Sequence, residues 1–334
     1  MEMLTLISIV IPAYNVESLI GKTLDSVLAQ TYTNIEVVVV NDGSTDGTKF
    51  IVDSYVARDN RIKAIHKENG GVTSARLRGV AEASGDWIGF VDGDDYIEPD
   101  MYERLYANAV KHEVDISHCG YQMVFPNRVD FYYNTGRIIL QSNLQGISDL
   151  IAGHFVEPGL WSKLFRKELF ANIDQRMDKS IKINEDLLMN YWLFKAAHSA
   201  VYEDFCPYHY IVRRGSAANS NISEPKLWNP LRVAEIILND VPDEVKPAAT
   251  QKMVRLLING ATIDVTPSPA MIVPYRNHTR QMLWEQLWAV LKGRECDTKL
   301  KIMALWAAVW PASYQWVHTL YAKITGHDKI YDIE

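Results

Sequence analysis

The chain has 334 residues, of which 48% are hydrophobic and 22% are charged, and its formal net charge is -7. This composition is typical of a folded globular protein and excludes a largely disordered, collagen-like or coiled-coil chain. The negative charge argues against nucleic acid as the main partner, because phosphate backbones are bound by clustered Lys and Arg. We therefore expect one large domain with an appendage, or two modest domains.

The first third of the chain alternates short β-branched runs with amphipathic segments, which predicts a parallel sheet covered by helices. The predicted strands are residues 8–11, 36–40, 61–66 and 87–91. The predicted helices lie near residues 18–30, 45–57, 72–83 and 100–111. The run from Val37 to Val40 is continuously apolar, which is typical of a central strand that is buried on both faces.

The later parts of the chain follow a different pattern. Residues 117–214 mix aromatic strand-like pieces at 121–125 and 137–140 with helices near 146–153 and 185–198. Beyond Asn219, proline-bearing connections separate helical segments: Pro225, Pro230, Pro242, Pro247, Pro267, Pro269 and Pro274. We predict a catalytic domain at residues 1–222 and a helical C-terminal region at 223–334.

Cysteine usage and the N-terminus indicate a setting inside the cell. The three cysteines are far apart and show no CxxC spacing, which favours reduced thiols. The apolar run at residues 4–11 follows Glu2 rather than basic residues, so we interpret it as a buried strand and not as a signal peptide. No stretch reaches the roughly 20 apolar residues that span a bilayer. We expect a cytoplasmic protein whose membrane contact is at most peripheral.

Two predicted strands end at acidic turns. Asp42 follows the second strand, where it could bind a base or ribose. The alternative is that Asn41, Asp42 and Ser44 only form the turn and cap the next helix. Asp92, Asp94 and Asp95 follow the fourth strand, and carboxylates crowded in this way suit Mg or Mn together with diphosphate oxygens. An acidic turn before a helix is common, but its place after a buried strand favours the metal site.

Two further segments carry candidate site residues. Gly70 and Gly71 form a turn without the spacing of a dinucleotide or ATP phosphate loop, and Arg76 follows one helical turn later. Arg76 is equally compatible with a diphosphate contact and with an exposed helix charge. Glu185 and Asp186 begin an amphipathic helix, where they would either complement the helix dipole or supply a general base.

Taken together, these motifs resemble family 2 glycosyltransferases of the GT-A fold. The residues that carry the resemblance are Pro12-Ala13-Tyr14-Asn15, Asn41-Asp42-Gly43-Ser44-Thr45-Asp46, Asn69-Gly70-Gly71 with Ala75-Arg76, Asp92-Gly93-Asp94-Asp95 and Glu185-Asp186. Five motifs in the expected order are a specific signal, and they cover residues 6–219. The resemblance implies a GT-A fold, in which a Rossmann-like, mixed and mostly parallel sheet is flanked by helices, with a helical C-terminal appendage.

The resemblance also implies roles for individual residues. The nucleotide sugar would contact Pro12, Tyr14, Glu17, Asp42, Asn69, Arg76, Asp92, Gly93 and Arg214. Asp94, with Asp92, would hold Mn or Mg, and Asp186 would be the catalytic base with Glu185 supporting it. A single base and no protein nucleophile imply one displacement with inversion. Arg213, Arg214 or Ser216 would close over the diphosphate.

The resemblance implies a UDP-sugar donor and a glycan or lipid-linked acceptor. No QxxRW motif of processive synthases is present, which favours transfer of a single sugar. Two alternatives remain, a sugar nucleotidyltransferase and a catalytically silent scaffold that binds sugar nucleotides. The Trp284/Trp288 and Trp306/Trp310 pairs of the C-terminal region favour core packing or a homodimer interface, while Lys292, Arg294, Lys299, Lys301 and Lys323 keep membrane-surface contact open.

Overall fold

The structure, a computed structural model, describes residues 5–132, 134–213 and 221–325. The chain divides into two compact units after Val212, whereas the composition placed the boundary near Ser223. The first unit is an α/β structure and the second is helical, with its first helix beginning at Glu224. The expected α/β class with a helical C-terminal region is therefore confirmed.

The first unit contains ten described strands and seven described α-helices. The strands are β1 (Ile7–Ala13), β2 (Ile35–Asp42), β3 (Ile62–Lys67), β4 (Trp87–Phe90), β5 (Tyr96–Ile97), β6 (Ile116–Val124), β7 (Val129–Phe131), β8 (Ile138–Ser142), β9 (Lys163–Arg166) and β10 (Ser199–Ile211). The helices are α1 (Ile20–Leu28), α2 (Thr48–Val56), α3 (Val72–Glu82), α4 (Met101–Lys111), α5 (Asn143–Ala152), α6 (Ile173–Arg176) and α7 (Glu185–Ala196). The elements predicted for the first third of the chain are confirmed to within a few residues at each end.

The strands form one mixed sheet in the order β3-β2-β1-β4-β9-β6-β10-β5, with β7 beside β6 and β8 beside β10. Strands β1 to β4 are parallel, and β9 joins β4 antiparallel. Residues Val37 to Val40 are completely buried, as their apolar run predicted. Because β1, β2 and β4 are parallel neighbours, their carboxyl ends meet at one edge of the sheet, where ligands gather in such folds.

Helices α3 and α4 each pack close to the sheet because a glycine removes a side chain from the contact. A Cβ on Gly79 would lie 2.2 Å from Cγ1 of Val10, and a Cβ on Gly89 would lie 2.4 Å from the Tyr102 ring. Gly79 therefore brings α3 against β1, while Gly89 admits the Tyr102 ring of α4 against β4. These contacts fix the two helices whose ends flank the acidic strand ends.

The second unit consists of five described helices around its own apolar core. They are α8 (Glu224–Asp240), α9 (Lys246–Ala261), α10 (Pro269–Lys292), α11 (Thr298–Val309) and α12 (Pro311–Thr325). Pro230 and Pro274 lie inside α8 and α10, so the prediction that they separate helices is wrong. Each helix continues through its proline because a buried face on both sides of it, such as Leu227 and Leu231, outweighs one lost hydrogen bond.

The tryptophans of the second unit are mostly at its surface. Trp284, Trp288, Trp310 and Trp316 are exposed, so core packing is the wrong interpretation for these four. Small residues such as Ala304 and Ala307 occupy the buried face of α11 instead. None of the helices in the described part of the chain combines the length and the apolarity needed to cross a bilayer.

Candidate active site

Two loops at the carboxyl edge of the sheet are tied together by side chains. The Asn15 side-chain oxygen accepts from the Thr45 N–H at 2.8 Å, and Ser44 Oγ accepts from the Asn15 N–H at 3.0 Å. Glu17 accepts from the Gly47 N–H at 2.6 Å, so its carboxylate braces the turn after β2. Asn15 has φ 50°, a left-handed conformation that Asn tolerates better than most residues. The Tyr14 ring beside it is half exposed and open to a ligand.

The carboxylate of Asp42 is buried and anchors the glycine turn after β3. It accepts from the N–H groups of Gly70 at 3.0 Å and Gly71 at 2.8 Å, and it pairs with Lys67. Gly71 has φ 85°, a conformation that favours glycine. The N-cap of helix α2 is Gly47, and the Thr48 N–H at the start of the helix donates to Asp46 rather than to Asp42. Asp42 therefore connects the end of β2 to the glycine turn after β3, and both are predicted binding segments.

The turn after β2 also packs on the segment that carries Asn69. A Cβ on Gly43 would lie 2.7 Å from the backbone nitrogen of Asn69, and Gly43 itself has φ 73°. Gly93 makes a similar approach to Pro12, because a Cβ there would lie 2.9 Å from the Pro12 carbonyl oxygen. The predicted nucleotide residues from β1, β2, β3 and β4 thus lie at neighbouring strand ends.

Arg76 joins two motifs that are far apart in sequence. Its Nη2 lies 3.0 Å from Asp92 and its Nη1 lies 3.2 Å from Glu185, which is 109 residues away. Arg76 is buried, so the interpretation as an exposed helix charge is wrong. Burial alone would lower its pKa, but Asp92, Glu185 and Asp186 hold that pKa above its ordinary value. This cation connects the acidic strand end to the start of α7.

Helix α7 begins with the two carboxylates of the predicted base motif. Asn184 precedes them with φ 62°, and Asp186 accepts from the Leu187 N–H at 2.7 Å. Burial raises the pKa of both Glu185 and Asp186. The neighbouring Asp186 charge raises the pKa of Glu185 further, while Arg76 opposes both shifts. A buried carboxylate of raised pKa is a stronger proton acceptor than an exposed one.

A buried lysine near Asp186 was missed by sequence reasoning. Lys163, at the start of β9, donates to the backbone carbonyls of Glu157 at 2.7 Å and Gly159 at 2.6 Å. Burial lowers its pKa to about 8, and its charge in turn lowers the pKa of Asp186. Its only signal in the sequence is a single lysine within the apolar run Leu160-Trp161-Ser162-Lys163-Leu164-Phe165.

The three carboxylates that follow β4 do not act together. Asp95 is buried and accepts from the Tyr208 hydroxyl at 2.7 Å and from the Ile211 N–H at 2.8 Å, so it anchors β10. Burial and the neighbouring Asp94 and Asp92 charges raise its pKa well above the ordinary value. Only Asp92 and Asp94 remain as candidate ligands of a cation.

A divalent metal fits this site only together with a substrate. Within residues 5–132, 134–213 and 221–325, no three His, Cys, Asp or Glu side chains form a group that would hold a metal. Magnesium and its relatives are often held by one or two carboxylates plus substrate phosphates, and Asp92 with Asp94 supplies that number. The residues present therefore suit a cation that arrives with a diphosphate.

Two of the predicted residues are not described by the structure. Arg214 and Ser216 fall outside the described residues.

A cleft of about 600 Å³ lies between α3 and the segment around α6, where Ser74, Leu77, Arg78 and Phe170 are among its lining residues. Gly70, whose N–H donates to Asp42, is another lining residue, so the cleft adjoins the glycine turn after β3.

The comparison with protein families decides the classification. The sequence model described as glycosyl transferase family 2 matches residues 8–174, which is half of the chain. The chain belongs to glycosyl transferase family 2. The matched stretch contains all the acidic and glycine motifs described above except Glu185 and Asp186.

Named relatives agree with membership of glycosyl transferase family 2. The chain is 36% identical over 199 residues to the uncharacterized glycosyltransferase EpsJ of Bacillus subtilis, covering 58% of each protein. It is 34% identical over 220 residues to glycosyltransferase GlyA of Streptococcus pneumoniae, covering 63% of this chain and 31% of that protein. The family 2 chain thus matches less than two thirds of the length of these relatives.

Solved structures share the fold of this family 2 chain. S. aureus TarS 1–349 in complex with UDP matches with a TM-score of 0.65 and 23% identity, covering 95% of this chain and 91% of that one. The same protein in complex with UDP-GlcNAc matches with a TM-score of 0.68 and 21% identity, covering 96% and 92%. The likeness supports the GT-A fold.

Proposed function

We propose that the protein transfers a single sugar, with inversion, from a nucleotide diphosphate donor to a hydroxyl of a glycan or lipid-linked acceptor. The observation that carries this proposal is the pair of contacts from Arg76 to Asp92 and Glu185. They bring the acidic end of β4 beside the carboxylates of Glu185 and Asp186 at the start of α7. A leaving diphosphate needs positive charge on one side and the attacking hydroxyl needs a base on the other, and this arrangement provides for both.

Each part of the site has a distinct task in this proposal. Tyr14 and the turn anchored by Asp42 bind the nucleotide, and Asp92 orients the ribose and diphosphate. When bound, Mn or Mg on Asp94 supplies charge that stabilises the departing diphosphate. Asp186 takes the proton of the acceptor hydroxyl, while Arg76 and Lys163 keep that carboxylate ionised. UDP is the preferred donor nucleotide, because the structural neighbour TarS has been solved with UDP and UDP-GlcNAc.

A panel of sugar nucleotides incubated with Mn tests the reaction class. Release of nucleoside diphosphate, with a product of inverted anomeric configuration by NMR, supports the proposal. Pyrophosphate chemistry would instead indicate a sugar nucleotidyltransferase. That alternative needs basic residues near the N-terminus, and the only one between Pro12 and Lys22 is Lys22, which lies over the Tyr96 ring at 3.3 Å. No turnover with any donor would favour the silent scaffold.

The metal assignment is tested by Asp94→Ala in a thermal-shift experiment with UDP, GDP, CDP and dTDP, each with and without Mn. A ligand that binds only the folded state raises apparent stability, by about 2.7 kcal/mol at 100 times its dissociation constant. We expect Mn to enhance the shift by UDP in the wild type and to add nothing in Asp94→Ala. An equal enhancement in both proteins contradicts the role of Asp94.

A further inference from the structure

Exposed apolar side chains are concentrated at the C-terminal end of the described chain. Of the 21 large hydrophobic residues that are exposed among the described residues, 11 lie between Trp284 and Ile324. All four exposed tryptophans are among them, at 55% to 67% exposure. Isolated exposed hydrophobic residues are ordinary, but a concentration of this kind marks an interaction surface.

Helix α12 carries its apolar stripe into solvent. Trp316, Leu320 and Ile324 follow one another at spacings of four residues, and Val317 and Tyr321 lie beside them on the same face. Lys323 flanks this face, and the opposite side of the helix carries the polar residues Gln315, His318 and Thr319. A surface helix normally turns such a stripe toward the core, yet every described side chain from Trp316 to Thr325 is exposed.

The neighbouring helices continue the pattern. In α11 the buried face is formed by Leu300, Ala304 and Ala307, and the opposite face presents the exposed residues Ile302 and Leu305. In α10, Trp284 and Trp288 are exposed at a spacing of four residues. Helix α11 contacts both α10 and α12. Three consecutive helices therefore present apolar residues to solvent. We call the exposed apolar residues between 284 and 324 the aromatic surface.

The charge of this region is opposite to that of the whole chain. From Trp284 to Ile324 there are five basic residues and three acidic ones, a net charge of +2, although the whole chain carries a net charge of -7. The basic residues are Lys292, Arg294, Lys299, Lys301 and Lys323, and the acidic ones are Glu285, Glu295 and Asp297. The Lys292 ammonium lies 4.4 Å from the centre of the exposed Trp288 ring. Aromatic rings with adjacent lysines suit the boundary between lipid headgroups and acyl chains, where anionic lipid attracts the cations.

We propose that the aromatic surface docks on a membrane that contains anionic lipid. Trp316 and Leu320 insert into the headgroup region, while Lys299 and Lys323 contact lipid phosphates. The enzyme then lies on the bilayer without crossing it. A second copy of the chain is the other possible occupant, but pairing two such surfaces would bring together two regions that each have five basic residues and only three acidic ones.

Co-sedimentation of the full chain with vesicles tests this docking. One set contains phosphatidylcholine with phosphatidylglycerol, and the other contains phosphatidylcholine alone. We expect binding to the anionic vesicles and little binding to the neutral ones. Binding should weaken when the salt concentration rises from about 0.1 M to about 1 M, because the screening length falls from about 10 Å to about 3 Å. Absence of binding to anionic vesicles overturns the proposal.

Matched variants locate the contact. The double variant Trp316→Glu/Leu320→Glu should weaken vesicle binding by roughly tenfold or more, because two inserted side chains are lost. Phe50→Glu changes a residue on α2 that is 79% exposed and should leave binding unchanged. Equal effects of the two variants contradict the assigned surface. A lipid-free dimer that Trp316→Glu/Leu320→Glu converts to a monomer, measured by sedimentation velocity, overturns membrane docking in favour of self-association.

Discussion

At the scale of single residues, the charge of the site's carboxylates is offset by few cations, of which Arg76 is the central one. Arg76 contacts Asp92 and Glu185 directly and also acts on Asp186. A buried charge that loses its partner is costly, whereas an exposed pair contributes little. Stability and catalysis therefore respond to different residues of the same cluster.

Replacing Arg76 by Met should destabilise the protein by about 3–5 kcal/mol near neutral pH, because buried carboxylates lose their cation. The loss should shrink toward about pH 5, because burial and the Asp186 charge raise the pKa of Glu185 to about 7 and this carboxyl is protonated at the lower pH. Urea unfolding at the two pH values measures this change. Arg78→Met is the matched control on the same helix, since Arg78 is about half exposed and pairs with Glu82 at 3.0 Å. An equally small effect of both substitutions would contradict the role of Arg76.

Asp186→Asn should preserve donor binding but lower turnover by roughly 100-fold or more, because an amide cannot accept the proton. Burial raises the pKa of Asp186, so wild-type turnover should fall as the pH drops through that raised pKa. Rate profiles against pH, together with donor affinity, measure both effects. Near-normal transfer by the variant would rule out Asp186 as the base, and a product that retains the donor's anomeric configuration would rule out single displacement.

The same substitution has a predictable effect on stability. A carboxyl whose folded pKa is raised contributes stability at low pH and loses it as the pH rises through the folded pKa. The stability of Asp186→Asn relative to the wild type should therefore increase with pH in urea titrations. A helix-dipole role alone predicts the reverse, a loss of about 1 kcal/mol near neutral pH.

At the scale of elements, the close approach of α3 to β1 inverts the usual effect of a glycine substitution. Gly79→Ala should destabilise the protein, because the added methyl would lie 2.2 Å from Val10, although alanine favours helices by about 1 kcal/mol. Gly21→Ala in α1 is the control, since its Cβ would lie 3.5 Å from the Tyr55 hydroxyl, an ordinary contact. Melting temperatures that rise for both variants would show that α3 can shift away from the sheet.

Sequence patterns predicted the elements better than the pairing of their side chains. The alternation of apolar strands and amphipathic helices located β1 to β4 and α1 to α4 because local periodicity determines those elements. The ion pairs of Arg76 and the burial of Lys163 depend on residues far away in the chain, so no local pattern reveals them. Asp95 illustrates the limit, because only the position of Tyr208 shows that it anchors β10 instead of joining Asp92 and Asp94.

At the scale of the whole molecule, all three cysteines are buried and free. Burial raises the pKa of Cys119 well above its ordinary value, that of Cys206 to about 11, and that of Cys296 in the same direction. Because the thiolate is the reactive form, the native protein should react very slowly with a thiol-specific disulfide reagent, and three equivalents should react after unfolding. Rapid reaction of any native thiol would indicate an opening of the surrounding core.

The long sequence separation between Arg76 and Glu185 has a consequence during synthesis. A ribosome that adds about 5–20 residues per second needs several seconds to pass from one to the other. During that interval, strands β1 to β4 can pair as they emerge, but the guanidinium of Arg76 has only Asp92 as a partner. Strands β1 to β4 can therefore pair before α7, which carries Glu185 and the proposed base Asp186, has been synthesised. Mutations in α7 should act late in folding, on a preformed sheet, and should be recognised by an unfolding rate that rises while the folding rate stays nearly constant.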